Sequence, residues 1–127
     1  MKIIIYIFGN PLIEEDNTPL KLMPELKNKF PNINFIEIDP NENLKPNNKK
    51  LIIIDTAVDI DKVILIDDIE TLETNNSFSM HDMDLAFNLK LLYKIGKLEK
   101  IKIFAIPPNI KKEEALEQLT TLISNNI

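Results

Sequence analysis

The sequence contains no cysteine and no arginine, and only two of its 127 residues are glycine. The absence of cysteine excludes disulfides, thiolate metal sites and cysteine nucleophiles. Because all fifteen basic residues are lysines, the side chain best suited to bidentate contact with phosphates or bases is missing. The net charge of −5 also argues against a general nucleic-acid binder, and we expect no nucleic-acid partner. An enzyme or a protein-binding module fits this composition better.

Two kinds of segment are also missing, namely glycine-rich catalytic motifs and long hydrophobic runs. There is neither a phosphate-cradling glycine loop nor a GxSxG nucleophile elbow. No run approaches the roughly 18 apolar residues that span a membrane, so we expect no membrane insertion. The amino-terminal run MKIIIYIFGN is too short for a signal peptide and lacks a small-residue cleavage site, which favours a buried first strand. The hydrophobic content of 44% is sufficient for a buried core, so we expect one domain over residues 1–127. The absence of cysteine is compatible with the cytoplasm.

Five short apolar runs predict the strands of a sheet. They are continuous rather than alternating, which is typical of strands that are buried on both faces. The connection before the fourth run is too short for a parallel crossover, so we expect that strand to run antiparallel to its predecessor. The third run ends in Asp55. The predicted strands are Ile3–Ile7, Asn34–Ile38, Leu51–Ile54, Val63–Ile66 and Ile101–Ile106.

Three helices are predicted between and after these strands. Thr18 and Pro19 resemble an N-cap and first helical residue, while Pro24 means that this helix either kinks or begins near Met23. A second helix places Leu85, Leu89 and Leu92 on one face, with Ser79 and Asp82 as a capping box. The third covers Glu113–Ser124. The alternation predicts an α/β fold, a three-layer sandwich with a mixed five-stranded sheet, one antiparallel strand and helices on both faces.

Three potential ligands follow predicted element ends: a carboxylate of Glu14–Asp16, Asp55 and the single histidine, His81. Sites in such folds form at the carboxyl ends of the strands, so we expect these groups to converge there. Two carboxylates and an imidazole can hold a divalent transition metal, or one carboxylate can orient the imidazole for acid–base work. Each residue also has a structural interpretation, since Asp55 can cap a turn, His81 can be a packed or surface residue and the acids can form a solvated loop.

The order of these segments resembles the hydrogenase maturation protease family. The resemblance rests on Gly9-Asn10, Leu12 and Glu15-Asp16 after the first strand, and on Leu51–Asp55. It is strongest in His81-Asp82-Met83-Asp84-Leu85, followed by Gly96 and a strand that ends in Ile106-Pro107. It implies an endopeptidase that removes the carboxy-terminal extension of the nickel–iron hydrogenase large-subunit precursor after nickel insertion.

The resemblance also implies the site. Asp16, Asp55 and His81 would contact nickel that is carried by the substrate rather than held permanently, with Glu15 and Asp39 as weaker substrate contacts. No further catalytic residue is assigned, and we expect a cytoplasmic monomer whose partner is the precursor.

Two alternatives remain open at the level of the sequence. Family glycines are replaced after Asp16 and after Asp39, which motivates the alternative of a non-catalytic relative that binds a precursor or metal without cutting. The other alternative is an unrelated α/β domain with a structural histidine.

Overall fold

The computed structural model describes residues 3–9, 18–38, 44–69, 79–80 and 83–127, with no side-chain placement for residues 79–80 and 83–86. Within these ranges no helix is long and apolar enough to cross a membrane. The elements in chain order are β1 (Ile3–Ile7), α1 (Thr18–Lys29), β2 (Ile33–Glu37), β3 (Lys50–Val58), β4 (Ile64–Ile66), β5 (Ser79–Met80), α2 (Met83–Lys94), β6 (Lys100–Ile106) and α3 (Lys112–Asn126).

The main sheet has five strands in the order β2-β1-β3-β6-β4, and its first four strands are parallel. The last strand, β4, is antiparallel to β6, with Leu65 opposite Phe104. The predicted five-stranded mixed sheet is therefore confirmed. The predicted direction of β4 relative to β3 is confirmed as well, although β4 pairs with β6 and not with β3.

The sheet lies between two helical layers, because alternate residues of each strand point to opposite faces. On β3, Ile53 packs into a buried cluster with Leu89 of α2. Its neighbour Ile54 packs on the other face with Leu22 of α1 and Leu119 of α3. The structure thus confirms the three-layer sandwich and the inward position of Leu89.

Two local predictions are wrong, each because long-range pairing overrides a local signal. The third strand does not end at Asp55 but continues to Val58. Ser79 does not cap a helix, because it belongs to the short strand β5 and pairs with Val58, while α2 begins only at Met83. For the first helix the structure decides between the two alternatives: the helix begins at Thr18, as the Thr18-Pro19 signal predicts, and continues through Pro24, so a start near Met23 is excluded.

Gly96 ends the second helix and turns the chain toward β6. Its φ of +79° lies in the left-handed region, where a side chain is unfavourable. Two backbone bonds close the turn, since the N–H groups of Lys97 and Leu98 donate to the carbonyl of Leu92 at 3.0 and 3.2 Å. Leu98 is buried directly after the turn, and this fixes α2 against its layer of the sheet.

Candidate functional site

Asp55 lies in β3 beside the carboxyl ends of the two neighbouring parallel strands, β1 and β6. The last residue of β1, Ile7, is the Cα partner of Ile54, so β3 passes beyond β1 at Asp55. On the other side, the last residue of β6, Ile106, is the partner of Thr56. The predicted location at the carboxyl edge is therefore correct, even though β3 itself continues to Val58.

The Asp55 side chain belongs to the layer between the sheet and α2. Its two sequence neighbours on the same face, Ile53 and Ala57, both belong to the buried cluster of that layer. Its cross-strand partner on β6 is Ala105, another small residue. The small side chains of Ala57 and Ala105 fill less of this face of the sheet beside the carboxyl group than larger residues would.

Asp55 is only 1% exposed, which is rare for a carboxylate. Burying a charged group costs several kcal/mol unless it is paired, hydrogen-bonded or coordinated. Asp55 does interact with a partner in the folded chain, so this cost is at least partly offset. A buried and partnered carboxylate at the carboxyl edge of a parallel sheet is the strongest candidate for a functional group among the described residues.

The extension of β3 beyond Asp55 brings another part of the chain to the same edge. Ala57 is the Cα partner of Met80 in β5, and Met80 directly precedes His81 in the sequence. On the other side of Asp55, the N–H of Phe8 donates to the carbonyl of Ile54 at 3.0 Å. In the sequence, Asp16 follows shortly after Phe8, just as His81 directly follows Met80. Two of the predicted ligands are therefore close in sequence to residues that are paired near Asp55.

The remaining predicted site residues, Asp16, His81, Glu15 and Asp39, lie outside the described residues. Within the described ranges no group of three histidine, cysteine or acidic side chains could hold a metal ion. Asp55 is the one described member of the predicted set, so a metal site that holds it and two further side chains of these types must draw at least one of them from outside those ranges.

Sequence reasoning missed Thr56, whose hydroxyl is buried beside the site. Thr56 is fully buried, and its Oγ1 atom has no hydrogen-bond partner among the described residues. Because strand residues alternate, its side chain points away from the Asp55 layer and toward the layer of α1 and α3. No sequence signal identifies this position, since threonine is common in strands and its isolation depends on which side chains surround it.

Sequence reasoning also missed a polar cleft of about 450 Å³ beyond the ends of β3 and β6. Asp59 and Asp61 line it from the segment after β3, and Glu114 lines it from the first turn of α3. Lys111 contributes the basic side chain of its lining. The rule that places sites after the carboxyl ends of strands could have found this cleft, because Pro107-Pro108 directly follows β6.

Comparison with known proteins supports the α/β fold and also finds a matching protein family. The model of the HycI hydrogenase maturation protease family matches residues 41–127, which is more than half of the chain and includes Asp55. No curated protein matches the chain. Among solved structures, the hydrogenase 2 maturation peptidase from Thaumarchaeota archaeon SCGC_AB-539-E09 has a similar fold. Its TM-score is 0.59 at 15% sequence identity, with 98% of this chain and 97% of that chain covered.

The family match excludes the alternative of an unrelated α/β domain. The matched region contains β3, α2 and β6, which carry the buried carboxylate and the helical layer above it. The structural likeness independently supports the α/β fold over nearly the full length of both chains. The chain therefore belongs to the hydrogenase maturation protease family and is a hydrolase of the peptidase class.

Proposed function

We propose that this protein is an endopeptidase that removes the carboxy-terminal extension of a nickel–iron hydrogenase large-subunit precursor after nickel has been inserted. The family assignment supports a hydrogenase precursor as substrate. In this proposal the nickel belongs to the precursor, and contact with it distinguishes a loaded precursor from an empty one. The reaction takes place in the cytoplasm, and the protein acts as a monomer.

The observation that carries the proposal is the buried carboxylate of Asp55 at the carboxyl edge of the sheet. In the proposed set, Asp55 contacts the nickel together with Asp16 and His81. Carboxylate oxygens and an imidazole nitrogen are suitable ligands for such a divalent ion. Support also comes from the pairing of Met80 with Ala57, because it brings the residue that precedes His81 within two positions of Asp55 along β3. Glu15 and Asp39 are proposed as weaker contacts with the precursor.

The burial of Asp55 sets a condition on how the metal is contacted. Because the carboxyl group is 1% exposed and already interacts within the chain, contact with the nickel must replace or supplement that interaction when the precursor binds. An incoming divalent charge can compensate the loss, because charge interactions are strong in a buried environment. A precursor without nickel offers no such compensation, so Asp55 keeps its internal partner. Selectivity for the loaded precursor follows from this difference.

The direct test measures the intact mass of a nickel-loaded precursor and of a nickel-free precursor after incubation with the protein. We expect loss of the carboxy-terminal extension from the loaded precursor alone. Replacing a proposed nickel contact, as in Asp55→Asn, Asp16→Asn or His81→Ala, should lower kcat/KM by at least about tenfold. This is the smallest effect usually seen even for residues that only support metal ligands.

The matched control is Thr56→Val, which changes the adjacent residue of the same strand on its opposite face. It should cleave the loaded precursor at the wild-type rate, because its side chain does not face the Asp55 layer. Equal activity of Asp55→Asn and the wild type would refute the assigned site. Stoichiometric binding of the loaded precursor with no change in its mass would refute cleavage and favour the non-catalytic alternative.

A further inference from the structure

The outward face of α2 carries an apolar stripe that the fold does not use. Phe87, Leu91 and Ile95 are 65%, 47% and 55% exposed, respectively. They are four residues apart, so they lie above one another on one side of the helix. Ile95 still belongs to this helical surface, because its N–H donates to the carbonyl of Leu91 at 3.1 Å. We call these three residues the α2 stripe, and it lies opposite the buried Leu89.

Two lysines border the α2 stripe. Lys90 and Lys94 follow Phe87 and Leu91 by three residues, which places them beside the stripe on the same helix. Neither forms an ion pair with a described residue, whereas Lys49 and Lys112 are both paired. In a chain with a net charge of −5, this local basic border is a departure from the average surface. A surface with acidic residues around an apolar centre would complement it.

The size of the α2 stripe means that it is only part of any stable interface, and its charge argues against a second copy of this chain as its partner. The exposed fractions leave roughly 300 Å² of apolar surface open, whereas a stable interface buries about 800 Å² on each partner. Two copies of the stripe would also bring lysines of equal charge together at their borders. The stripe therefore fits one part of a larger contact with a different protein of opposite charge.

The stripe begins shortly after a residue that is paired at the carboxyl edge of the sheet. Met80 is paired at the carboxyl edge of the sheet, and α2 begins three residues later at Met83. Phe87 lies one helical turn into α2, and the stripe from Phe87 to Ile95 is about 12 Å long at 1.5 Å per residue. A protein that reaches the carboxyl edge with its metal centre can therefore cover Phe87 and Leu91 at the same time.

We propose that the α2 stripe docks the precursor through a surface that is apolar at its centre and acidic at its border. This inference rests on the proposed function for the identity of the partner. Docking beside the site makes the metal contact effectively intramolecular, and it contributes to binding of precursor and transition state alike. Its loss should therefore raise KM and leave kcat unchanged.

The test compares the wild type with the double variant Phe87→Ser/Leu91→Ser, using the nickel-loaded large-subunit precursor of the same organism as the probe. We expect KM and the dissociation constant to rise by about tenfold or more, with kcat unchanged, because exposed aromatic anchors dominate such contacts. Both replaced side chains are exposed, so the thermal midpoint should stay at the wild-type value. The matched control is Ile127→Ser, which removes a 38% exposed apolar side chain after α3 and should change neither constant.

The charge component is tested with Lys90→Glu/Lys94→Glu. This variant should associate more slowly with the precursor, and its deficit should shrink as salt screens the charges. A direct measurement of precursor binding separates this inference from the proposed function. If the wild type binds the precursor without cutting it and Phe87→Ser/Leu91→Ser weakens that binding, cleavage fails and the docking surface stands.

Four outcomes would overturn the docking surface. Cleavage with wild-type KM and affinity in the Phe87→Ser/Leu91→Ser variant is the first, and absence of precursor binding by the wild type is the second. The third is a wild-type dimer in light scattering that this variant abolishes. The fourth is binding to vesicles of phosphatidylcholine and phosphatidylglycerol that depends on the stripe, since that would identify a membrane surface instead.

Discussion

Removing the isolated hydroxyl of Thr56 should stabilise the protein. Thr56 is fully buried, and its Oγ1 atom has no hydrogen-bond partner among the described residues. In the unfolded chain this hydroxyl binds water, so folding removes its hydrogen bonds without replacing them. A buried and unsatisfied polar group costs about 1–3 kcal/mol. Valine has nearly the same shape as threonine and carries a methyl group in place of the hydroxyl.

We therefore expect Thr56→Val to raise the free energy of unfolding by about 1–2 kcal/mol. With an m-value of about 2 kcal/mol/M in urea, the midpoint should move upward by about 0.5–1 M while the slope stays constant. Urea unfolding followed by circular dichroism measures both quantities. The neighbouring strands β1 and β6 keep their pairing with β3, because the substitution leaves the backbone donor and acceptor in place.

The matched control is Thr121→Val, because the Thr121 hydroxyl is exposed and donates to the carbonyl of Glu117 at 3.1 Å. This variant should show no gain in stability. A lower midpoint for Thr56→Val would refute the reasoning, because it would mean that the hydroxyl is bonded in the folded state. A loss of peptidase activity in Thr56→Val at wild-type stability would refute the separation between its layer and that of Asp55.

Two further predictions concern the helices. Lys112 of α3 donates to Glu25 of α1 at 3.0 Å, and this bond lowers the pKa of Glu25 below its ordinary value of 4.5. The thermal midpoint of the wild type should therefore exceed that of Glu25→Gln near neutral pH. The difference should be lost as the pH falls through the lowered pKa, and a difference that does not shrink on acidification below pH 4.5 would contradict it. Gly96→Ala should lower the free energy of unfolding by about 1 kcal/mol in urea titrations, because alanine must adopt a φ of +79°. Gly96→Asn should lose less stability than Gly96→Ala, since asparagine tolerates this conformation better than alanine. In both variants the added Cβ meets no atom within 4 Å, so the backbone conformation decides the difference.

The sequence predicts the sheet well because its strands are continuous apolar runs. Each of the five predicted runs overlaps a strand of the main sheet, and the short connection before β4 correctly indicates its direction. The errors occur where distant parts of the chain decide the local structure. Ser79 has the local signal of a helix cap, but pairing with Val58 satisfies its backbone in a strand instead. Such pairing depends on the extension of β3, which no pattern near Ser79 reveals.

The site shows the same division between local and distant causes. That Asp55 lies at the carboxyl edge follows from its position after an apolar run. The burial of Asp55 does not follow from that position, because burial depends on Ala105 of another strand and on the layer that contains α2. The isolation of the Thr56 hydroxyl is likewise a property of the folded chain, because it depends on the packing of the layer that contains α1 and α3. The assignments of Asp16 and His81 stay predictions, because both residues lie outside the described part of the chain.

The scarcity of glycine leaves one turn with a residue that does not suit its backbone. Asn47 and Lys50 form two backbone hydrogen bonds with each other at 3.0 and 3.1 Å, with Asn48 and Lys49 between them. Both central residues have positive φ, 53° for Asn48 and 63° for Lys49. This is the pattern of a two-residue type I′ turn, for which Asn-Gly is the preferred pair. Asparagine occupies the first position, but lysine occupies the position that favours glycine.

Replacing Lys49 with glycine should therefore stabilise the turn. A left-handed conformation costs a residue with a side chain about 1–2 kcal/mol, and the greater freedom of glycine in the unfolded chain takes back about 0.4–1 kcal/mol. The ion pair of Lys49 with Glu99 is long at 3.5 Å and exposed, so its loss costs little. The turn itself is fixed by its backbone, because the carbonyl of Lys49 accepts from the N–H groups of Glu99 and Lys100 at 2.8 and 3.1 Å.

We expect Lys49→Gly to raise the free energy of unfolding by about 0.5–1 kcal/mol in urea titrations. The matched control is Lys49→Ala, which removes the same ion pair but keeps the side-chain penalty, so it should be neutral or slightly destabilising. If both variants lose the same stability, the side chain of Lys49 contributes more than the strain of its backbone, and the interpretation of this turn is wrong. A gain in Lys49→Gly alone would show that the chain tolerates local strain where it does not use glycine.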